Sequence, residues 1–244
     1  MSEKNSVNDK IVVLVGGIGT ALAAYTIYKI VNRYFENNDG KFYKIKWKGG
    51  AIRRKVVVLG LPGAGKSRLL QCFQPDLTLH QELPNPAPTI GLNIVSVGMS
   101  GIDYHFFEGD HIEHWQMDIS ALVWLVDSTQ PETFHLSRAA LHACVSSFDH
   151  LVAMETKECS PPSSLYGVPI VVVAAKQDLP GSSCPADILK AMKTDEFSSR
   201  HKVYIVGTRL PATGGRAGLW RLYELIAYAP VKAFNPNECS SVDC

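Results

Sequence analysis

A glycine-rich turn between a strand pattern and a helix pattern constrains the fold of this chain more than any other feature. Residues 60–67 read Gly-Leu-Pro-Gly-Ala-Gly-Lys-Ser, which is a complete G-x-x-x-x-G-K-[ST] motif. The apolar run 55–59 precedes the motif, and the helix-compatible residues 68–73 follow it. A match placed between a strand and a helix predicts a phosphate-binding loop and disfavours a chance turn.

The residue types of this loop suit a nucleoside triphosphate. Successive backbone N–H groups can cradle phosphate oxygens, the Lys66 ammonium can reach the terminal phosphates, and the Ser67 hydroxyl can bind Mg²⁺. Pro62 has no N–H, so we expect the amides of residues 63–67 to carry the contact. The predicted phosphate site consists of Gly60, Leu61, Pro62, Gly63, Ala64, Gly65, Lys66 and Ser67.

Length and composition limit the remaining possibilities. The 244 residues, 46% of them apolar and 19% charged, can form one globular domain and an appendage. The net charge of +1 gives no argument for a nucleic-acid partner. The six cysteines lack C-x-x-C spacing, which disfavours a zinc ribbon or a disulfide framework and favours a reducing compartment.

The amino-terminal appendage has the pattern of a membrane anchor. Residues 11–31 are almost uncharged and would form a helix about 32 Å long, close to the hydrocarbon core of about 30 Å. Seven Lys and Arg residues without an acid follow between residues 41 and 55. The positive-inside rule then places residues 1–10 outside the cytosol and the large domain inside it, on the endoplasmic reticulum or the outer mitochondrial membrane.

Residues 32–54 form a basic, aromatic linker, for which we expect contact with anionic lipid. Small residues four apart in the anchor could pair two helices into a homodimer. An alternative interpretation takes residues 12–21 as a dinucleotide-binding turn, but Leu22 stands where that motif needs its third small residue.

Apolar runs alternate with helical patterns through the rest of the chain. Strands are predicted at residues 55–59, 92–99, 104–107, 121–126, 169–175 and 202–206, and helices at 132–151, 186–192 and 219–229. The pattern predicts an α/β domain over residues 55–230 with a six-stranded, mainly parallel sheet and one hairpin. Residues 157–167 are predicted to form a surface loop, and residues 231–244 a flexible tail.

A second informative string, Ala-Lys-Gln-Asp-Leu-Pro, begins at residue 175, at the end of a predicted strand. A carboxylate can accept both N1–H and N2–H of guanine, whereas adenine has no donors there, so Asp178 would select GTP over ATP. Lys176 would lie along the base and brace the phosphate loop. The predicted base site consists of Ala175, Lys176, Gln177 and Asp178.

Between about residues 55 and 229 the sequence resembles the ADP-ribosylation-factor-like small GTPases, in particular their divergent, membrane-anchored members. The phosphate loop carries the resemblance together with Pro-Thr-Ile-Gly-Leu-Asn from residue 88, Val-Asp-Ser from 126 and the string at 175. It implies a small-GTPase fold, GTP or GDP with Mg²⁺ as cofactors, and Thr89 as a switch residue on the metal. It also implies that residues 92–104 form an interswitch hairpin and that effectors and regulators are partners. Ser2 excludes myristoylation.

The chain departs from this family at four positions. The Asp-x-x-Gly-Gln motif of the family falls on Glu108, His111 and Ile112, or, in a shifted register, its glycine falls on Gly109. Neither alignment supplies the glutamine that orients water. Ala175 replaces an asparagine, and the last base-contact loop is either Thr-Arg-Leu from residue 208 or Ala-Thr from 212.

These features favour a membrane-anchored GTP-binding switch with weak or partner-dependent hydrolysis. The alternative is a pseudo-GTPase that serves as a docking or receptor subunit. A P-loop kinase for a small molecule is a third class, which Asp178 disfavours because it predicts guanine selection. A metal site formed by His105, Glu108, His111 and His114 is also conceivable, although no Cys lies nearby.

Overall fold

The computed structural model describes residues 45–74, 82–87, 89, 91–109, 119–155, 167–212 and 215–228. Of these, residues 148–155 are described by their backbone alone. The predicted membrane helix at 11–31, the segment before it, most of the linker and the tail at 231–244 lie outside these residues. Within the described ranges, no helix is both long enough and apolar enough to cross a membrane.

One sheet of six strands organises the domain. The strands are β1 (Ile52–Gly60), β2 (Asn93–Met99), β3 (Ile102–Glu108), β4 (Ala121–Asp127), β5 (Ile170–Ala175) and β6 (Val203–Gly207). They lie in the order β2-β3-β1-β4-β5-β6, with β2 antiparallel to β3 and the other four pairings parallel. The predicted six-stranded, mainly parallel sheet with one hairpin is therefore confirmed.

In the part of the chain that the structure describes, four helices flank the sheet. They are α1 (Lys66–Cys72), α2 (Phe134–Glu155), α3 (Pro185–Met192) and α4 (Leu219–Ala227). The 3₁₀ turn Pro131–Thr133 precedes α2, which therefore begins two residues later than predicted. A second 3₁₀ turn, Thr194–Phe197, follows α3. The helical predictions are confirmed in kind and differ only at their ends, where local turns compete with the helix.

The central strands are apolar because both of their faces are covered. Every residue of β4 and β5 is buried. One core lies on the face of the sheet that contacts α1 and α4, and it includes Val56, Phe106 and Leu222. The other core includes Leu122 and Leu141 on the opposite face. Burial on both faces explains why these strands appear as continuous apolar runs without alternation.

The domain begins before the predicted residue 55. Strand β1 starts at Ile52, and the segment of residues 45–50 packs along the β2–β3 hairpin. The Ser100 and Gly101 amides each donate a 2.8 Å hydrogen bond to a carbonyl of this segment, those of Lys46 and Lys48. A Cβ atom on Gly98 would lie 2.3 Å from the backbone nitrogen of Gly49, so only glycine permits this approach.

Two side chains that we assigned to the lipid-facing linker pack inside the protein instead. Trp47 packs against the core, and the guanidinium of Arg54 is buried and donates a 3.2 Å hydrogen bond to the carbonyl of Ile226 on α4. A charge run suggested solvent or lipid at these positions, but tertiary contacts that sequence patterns do not reveal bury Arg54 and partly bury Trp47. Arg54 is therefore unavailable to a membrane surface.

The packing of the 45–50 segment predicts a stability difference between two isoleucines. Ile45 is 8% exposed and Ile52 is 54% exposed. Ile45→Ala should lower the free energy of unfolding by about 2–5 kcal/mol because it leaves a cavity in the core. Ile52→Ala should change it by less than about 1 kcal/mol. Urea denaturation followed by circular dichroism measures both, and an unchanged stability of Ile45→Ala would show that the segment is not part of the domain.

Candidate functional site

The glycine-rich loop joins the carboxyl end of β1 to α1, and two of its glycines are required by the backbone. A Cβ atom on Gly60 would lie 2.4 Å from the Leu125 carbonyl oxygen on the neighbouring strand. Gly65 is the N-cap of α1 with φ +100°, a left-handed conformation in which a side chain is strained. Among the described residues, no side chain caps this helix. Its first amides are therefore available to an anion.

Lys66 lies over the same loop. The side chain is buried, and Nζ donates hydrogen bonds to the carbonyls of Gly60 at 2.8 Å and Leu61 at 3.2 Å. The Ala64 amide also donates to the Leu61 carbonyl, at 3.2 Å. We expected all amides from residue 63 to 67 to face a ligand, but that of Ala64 is used within the turn. The ammonium group of Lys66 is therefore held over the loop, where it could pair with an anion bound there.

Three oxygen atoms from three elements converge next to Lys66. The Ser67 hydroxyl donates to Oε1 of Glu108 at 2.5 Å, and the Thr89 hydroxyl donates to the same oxygen at 3.0 Å. The two hydroxyl oxygens lie 3.1 Å apart. The Asn93 amide donates to the other carboxylate oxygen of Glu108 at 3.0 Å. Sequence analysis placed Ser67 and Thr89 on a metal and missed Asn93, which has no motif around it.

These donors fit Mg²⁺. Mg²⁺ prefers oxygen ligands in an octahedron, and carboxylate and hydroxyl oxygens are of that type. The cleft they line measures about 390 Å³, which is within the range of small-molecule sites, and Pro62, Gly63 and Pro86 complete its walls. The described residues therefore suit a phosphorylated ligand with its cation.

The segment before Thr89 is anchored to two other parts of the domain. The guanidinium of Arg68 on α1 donates to the Leu83 carbonyl at 3.2 Å and to Oδ1 of Asn85 at 3.1 Å. The Leu83 amide donates to the Ala212 carbonyl at 2.9 Å, and the Leu83 side chain is buried. These contacts fix one wall of the cleft to the loop that follows β6.

At the end of β5, Lys176 forms an ion pair with Asp127. Its Nζ lies 2.5 Å from Oδ2 of Asp127, and both the amide and the hydroxyl of Thr129 donate to Oδ1. Burial alone would raise the pKa of Asp127, but the hydrogen bonds from Lys176 and Thr129 outweigh it and hold that pKa below its usual value. We predicted that Lys176 braces the phosphate loop, whereas its partner in the structure is this carboxylate.

The loop of residues 175–178 is held by its neighbours although Ala175 lacks a polar side chain. The amide and hydroxyl of Ser128 both donate to the Ala175 carbonyl, at 3.2 Å and 2.5 Å. The Gln177 amide donates to the Thr208 carbonyl at 3.0 Å. Of the two candidate base loops, the structure places Thr208 directly beside this loop. Asp178 is exposed.

Several predicted positions lie outside the part of the chain that the structure describes. They are His111, Ile112 and His114. The two alignments of the family motif and the histidine metal site therefore stay predictions. Among the described residues, no group of three or more His, Cys, Asp or Glu side chains could hold a metal. Within that part, Nδ1 of His105 lies 2.8 Å from the Ser96 hydroxyl.

Comparison with known proteins agrees with this geometry. The sequence model of the ADP-ribosylation factor family matches residues 43–224. The chain is 28% identical over 184 residues to mouse (Mus musculus) ADP-ribosylation factor-like protein 4D, covering 70% of this chain and 82% of the relative. It is 26% identical over 168 residues to human (Homo sapiens) ADP-ribosylation factor-like protein 9, covering 66% and 79%.

A solved structure shares the fold. The Arl6 (BBS3) small GTPase of Trypanosoma brucei, determined with the bound nucleotide analogue GppNp, superposes with a TM-score of 0.54. The match covers 73% of this chain and 99% of that chain at 19% sequence identity. At that identity the match demonstrates the arrangement of strands and helices alone.

The lowered pKa of Asp127 predicts a pH-dependent contribution to stability. Its folded pKa lies below the unfolded value of about 3.9, so the ion pair stabilises the fold above that pH and is lost as the pH falls through the folded pKa. Asp127→Asn should lower the free energy of unfolding at about pH 7 by about 1–3 kcal/mol.

Urea denaturation at about pH 7 and about pH 3 measures this contribution, with the exposed Asp195→Asn as the matched control. The difference between wild type and Asp127→Asn should shrink at the lower pH, because the stabilisation that the charged carboxylate provides is lost progressively as the pH falls below the unfolded pKa towards the lower folded one. A difference that is equal at both pH values would show that the charge of Asp127 does not stabilise the fold.

Proposed function

Since the chain belongs to the ADP-ribosylation factor family, a family of nucleotide-dependent switches, we propose that it binds GTP and GDP with Mg²⁺ and hydrolyses GTP weakly or only with a partner. The observation that carries this proposal is the meeting of Lys66, Ser67, Thr89 and Glu108 at the glycine-rich loop. Amides and an ammonium group would hold the phosphates there, and oxygen donors would hold the cation.

Guanine would be selected by the loop after β5. Ser128, Thr208 and the Lys176–Asp127 ion pair hold this loop, and the exposed Asp178 carboxylate follows directly. Both guanine donors can reach one carboxylate, while adenine presents none at that edge. The contacts of Ser128 supply part of the rigidity for which the family uses an asparagine at position 175.

We propose weak hydrolysis because of the residue at the position that would orient the attacking water. Catalysis of phosphoryl transfer depends on positioning and on charge stabilisation, and an oriented water is one of its elements. Ile112 has no hydrogen-bonding group with which to orient water. A partner protein could supply the missing groups, because such groups act in trans in related chemistry. Such a partner would make the switch dependent on regulation.

We propose that the anchor at residues 11–31 tethers the domain to a cytosol-facing membrane of the endoplasmic reticulum or mitochondrion. Thirteen residues separate the predicted anchor from residue 45, where the packed segment begins, and they can span at most about 45 Å. The domain would therefore stay close to the bilayer, where Lys46 and Lys48 are exposed to anionic lipid. Effectors and regulators would meet it there.

The alternative of a pseudo-GTPase docking subunit also has a specific observation in its favour. Lys66 is bonded to carbonyls of its own loop, and the hydroxyls of Ser67 and Thr89 are bonded to Glu108. These polar side chains are thus satisfied by the protein itself. A nucleotide must replace these bonds, which lowers its net affinity.

The guanine assignment predicts the effect of one substitution. Asp178→Asn should reduce the preference for GTP over ATP by about 10-fold or more, because the amide cannot accept both guanine donors. Competition of GTP and ATP against a fluorescent GDP analogue measures the ratio. Asp187→Asn, on the exposed surface of α3, is the matched control. An unchanged ratio would remove Asp178 from base recognition.

The hydrolysis assignment predicts a slow single turnover. With radiolabelled GTP bound to the purified protein, phosphate release should be very slow alone and faster with an extract of cytosol, because a partner completes the site. Lys66→Ala, which should not retain the nucleotide, controls for contaminating enzymes. Fast release by the protein alone would contradict the proposal, and no release under either condition would favour the pseudo-GTPase.

A further inference from the structure

Thr208, directly after β6, carries a buried hydroxyl group. The residue is 0% exposed, and in the part of the chain that the structure describes its Oγ1 has no hydrogen-bond partner. The backbone of Thr208 is paired, since its amide donates to the Ala174 carbonyl at 3.0 Å and its carbonyl accepts from the Gln177 amide at 3.0 Å. A buried hydroxyl group without a partner destabilises a fold because it has lost its bonds to water. A polar neighbour at this point would therefore stabilise the protein.

The neighbour of this hydroxyl on β5 is Ala175. The two backbone bonds of Thr208 lie on either side of Ala175, which places the two residues opposite each other on adjacent parallel strands. Val173 and Ala175 belong to the same core as Val206, and alternation along a strand places Thr208 on that face as well. Ala175 is 4% exposed, and its methyl group forms no hydrogen bond. Alanine at this position therefore leaves the hydroxyl unpaired.

The loop after β5 is consequently held unequally on its two sides. On the side of β4, Ser128 donates two hydrogen bonds to the first carbonyl of the loop, and Lys176 forms an ion pair with Asp127. On the side of β6, the Thr208 carbonyl accepts from the Gln177 amide, but the Thr208 hydroxyl adds no bond within the described residues. Segments with fewer fixed contacts open at a lower cost in free energy. The loop should therefore open most easily towards β6.

We propose that Ala175 makes the release of nucleotide fast, so that GDP is exchanged for GTP without an exchange factor. Asp178, which is proposed to hold guanine, extends from this loop, and opening of the loop frees the base. The occupancy of the site would then follow the concentrations of free GTP and GDP. The inference rests on the proposed nucleotide site and adds to it the way in which that site is loaded.

A side chain that pairs with the Thr208 hydroxyl should slow the release. The full chain, loaded with a fluorescent GDP analogue and Mg²⁺, is mixed with excess unlabelled GDP, and the fall in fluorescence gives the release rate. Ala175→Asn should lower this rate by about fivefold or more, because an amide can bond to the hydroxyl. Adding Thr208→Val to Ala175→Asn should return the rate towards that of the wild type. Ala139→Asn, on the exposed surface of α2, is the matched control and should not change it.

A second measurement does not depend on nucleotide. Thr208→Val alone removes an unpaired hydroxyl group and keeps the shape of the side chain, so the midpoint of urea denaturation should not fall. The same substitution in the Ala175→Asn background removes a paired hydroxyl group and should lower the midpoint. Circular dichroism first confirms that each variant is folded. If Ala175→Asn does not fold, the midpoint of Thr208→Val alone decides whether the hydroxyl is unpaired.

Failure of the inference and failure of the proposed function give different results. If the wild type binds GDP but Ala175→Asn releases it equally fast, or if Thr208→Val alone lowers the midpoint, the inference is wrong while the nucleotide site stands. If neither the wild type nor folded Ala175→Asn binds nucleotide, the proposed function fails, and the inference fails with it. Binding by Ala175→Asn alone would support the role of position 175 and favour the pseudo-GTPase.

Discussion

Burial of β1, β4 and β5 on both faces is the constraint from which the arrangement of the site follows. These parallel strands cannot move along one another or out of the sheet without exposing apolar residues or breaking their hydrogen bonds. Gly60 pairs with Leu125, and Asp127 pairs with Ala175, so the loops that follow the three strands start from the same edge of the sheet. The cleft is therefore positioned by the core.

The polar contacts of the site connect elements that the sheet alone would leave independent. Glu108 ends β3, Ser67 begins α1, and Thr89 lies in the connection to β2, yet one carboxylate binds both hydroxyls. On the other side, Leu83 is bonded to the loop after β6. The contacts of Glu108 thus join the hairpin to α1, and the contact of Leu83 joins the segment before Thr89 to the loop that follows β6.

Sequence patterns predicted most of the fold because its signals are local. Continuous apolar runs identified the buried strands, the short turn before Ile102 identified the hairpin, and the spacing of glycines identified the phosphate loop. In each case neighbouring residues along the chain determine the conformation. The predicted residues of the phosphate loop and Thr89 accordingly lie together in the structure.

The contacts that escaped prediction are those between residues distant along the chain. Arg54 looked like part of a basic linker, but it is bonded to the backbone of Ile226, 172 residues away. Lys176 pairs with Asp127 because β4 and β5 are neighbours, and nothing in either local string indicates that pairing. Long-range packing also buries Ile45. Local patterns specify elements, whereas the partners of buried charges depend on which elements the fold brings together.

The central claim is that the glycine-rich loop and the residues around it form a binding site for guanine nucleotide and its cation. Isothermal titration calorimetry of the full chain with GDP, GTP and ATP in the presence of Mg²⁺ tests it most directly. The account predicts that both guanine nucleotides bind at least about tenfold more tightly than ATP and that Lys66→Ala abolishes their binding. Equal affinity for ATP, or guanine-nucleotide binding that persists unchanged in Lys66→Ala, would contradict it.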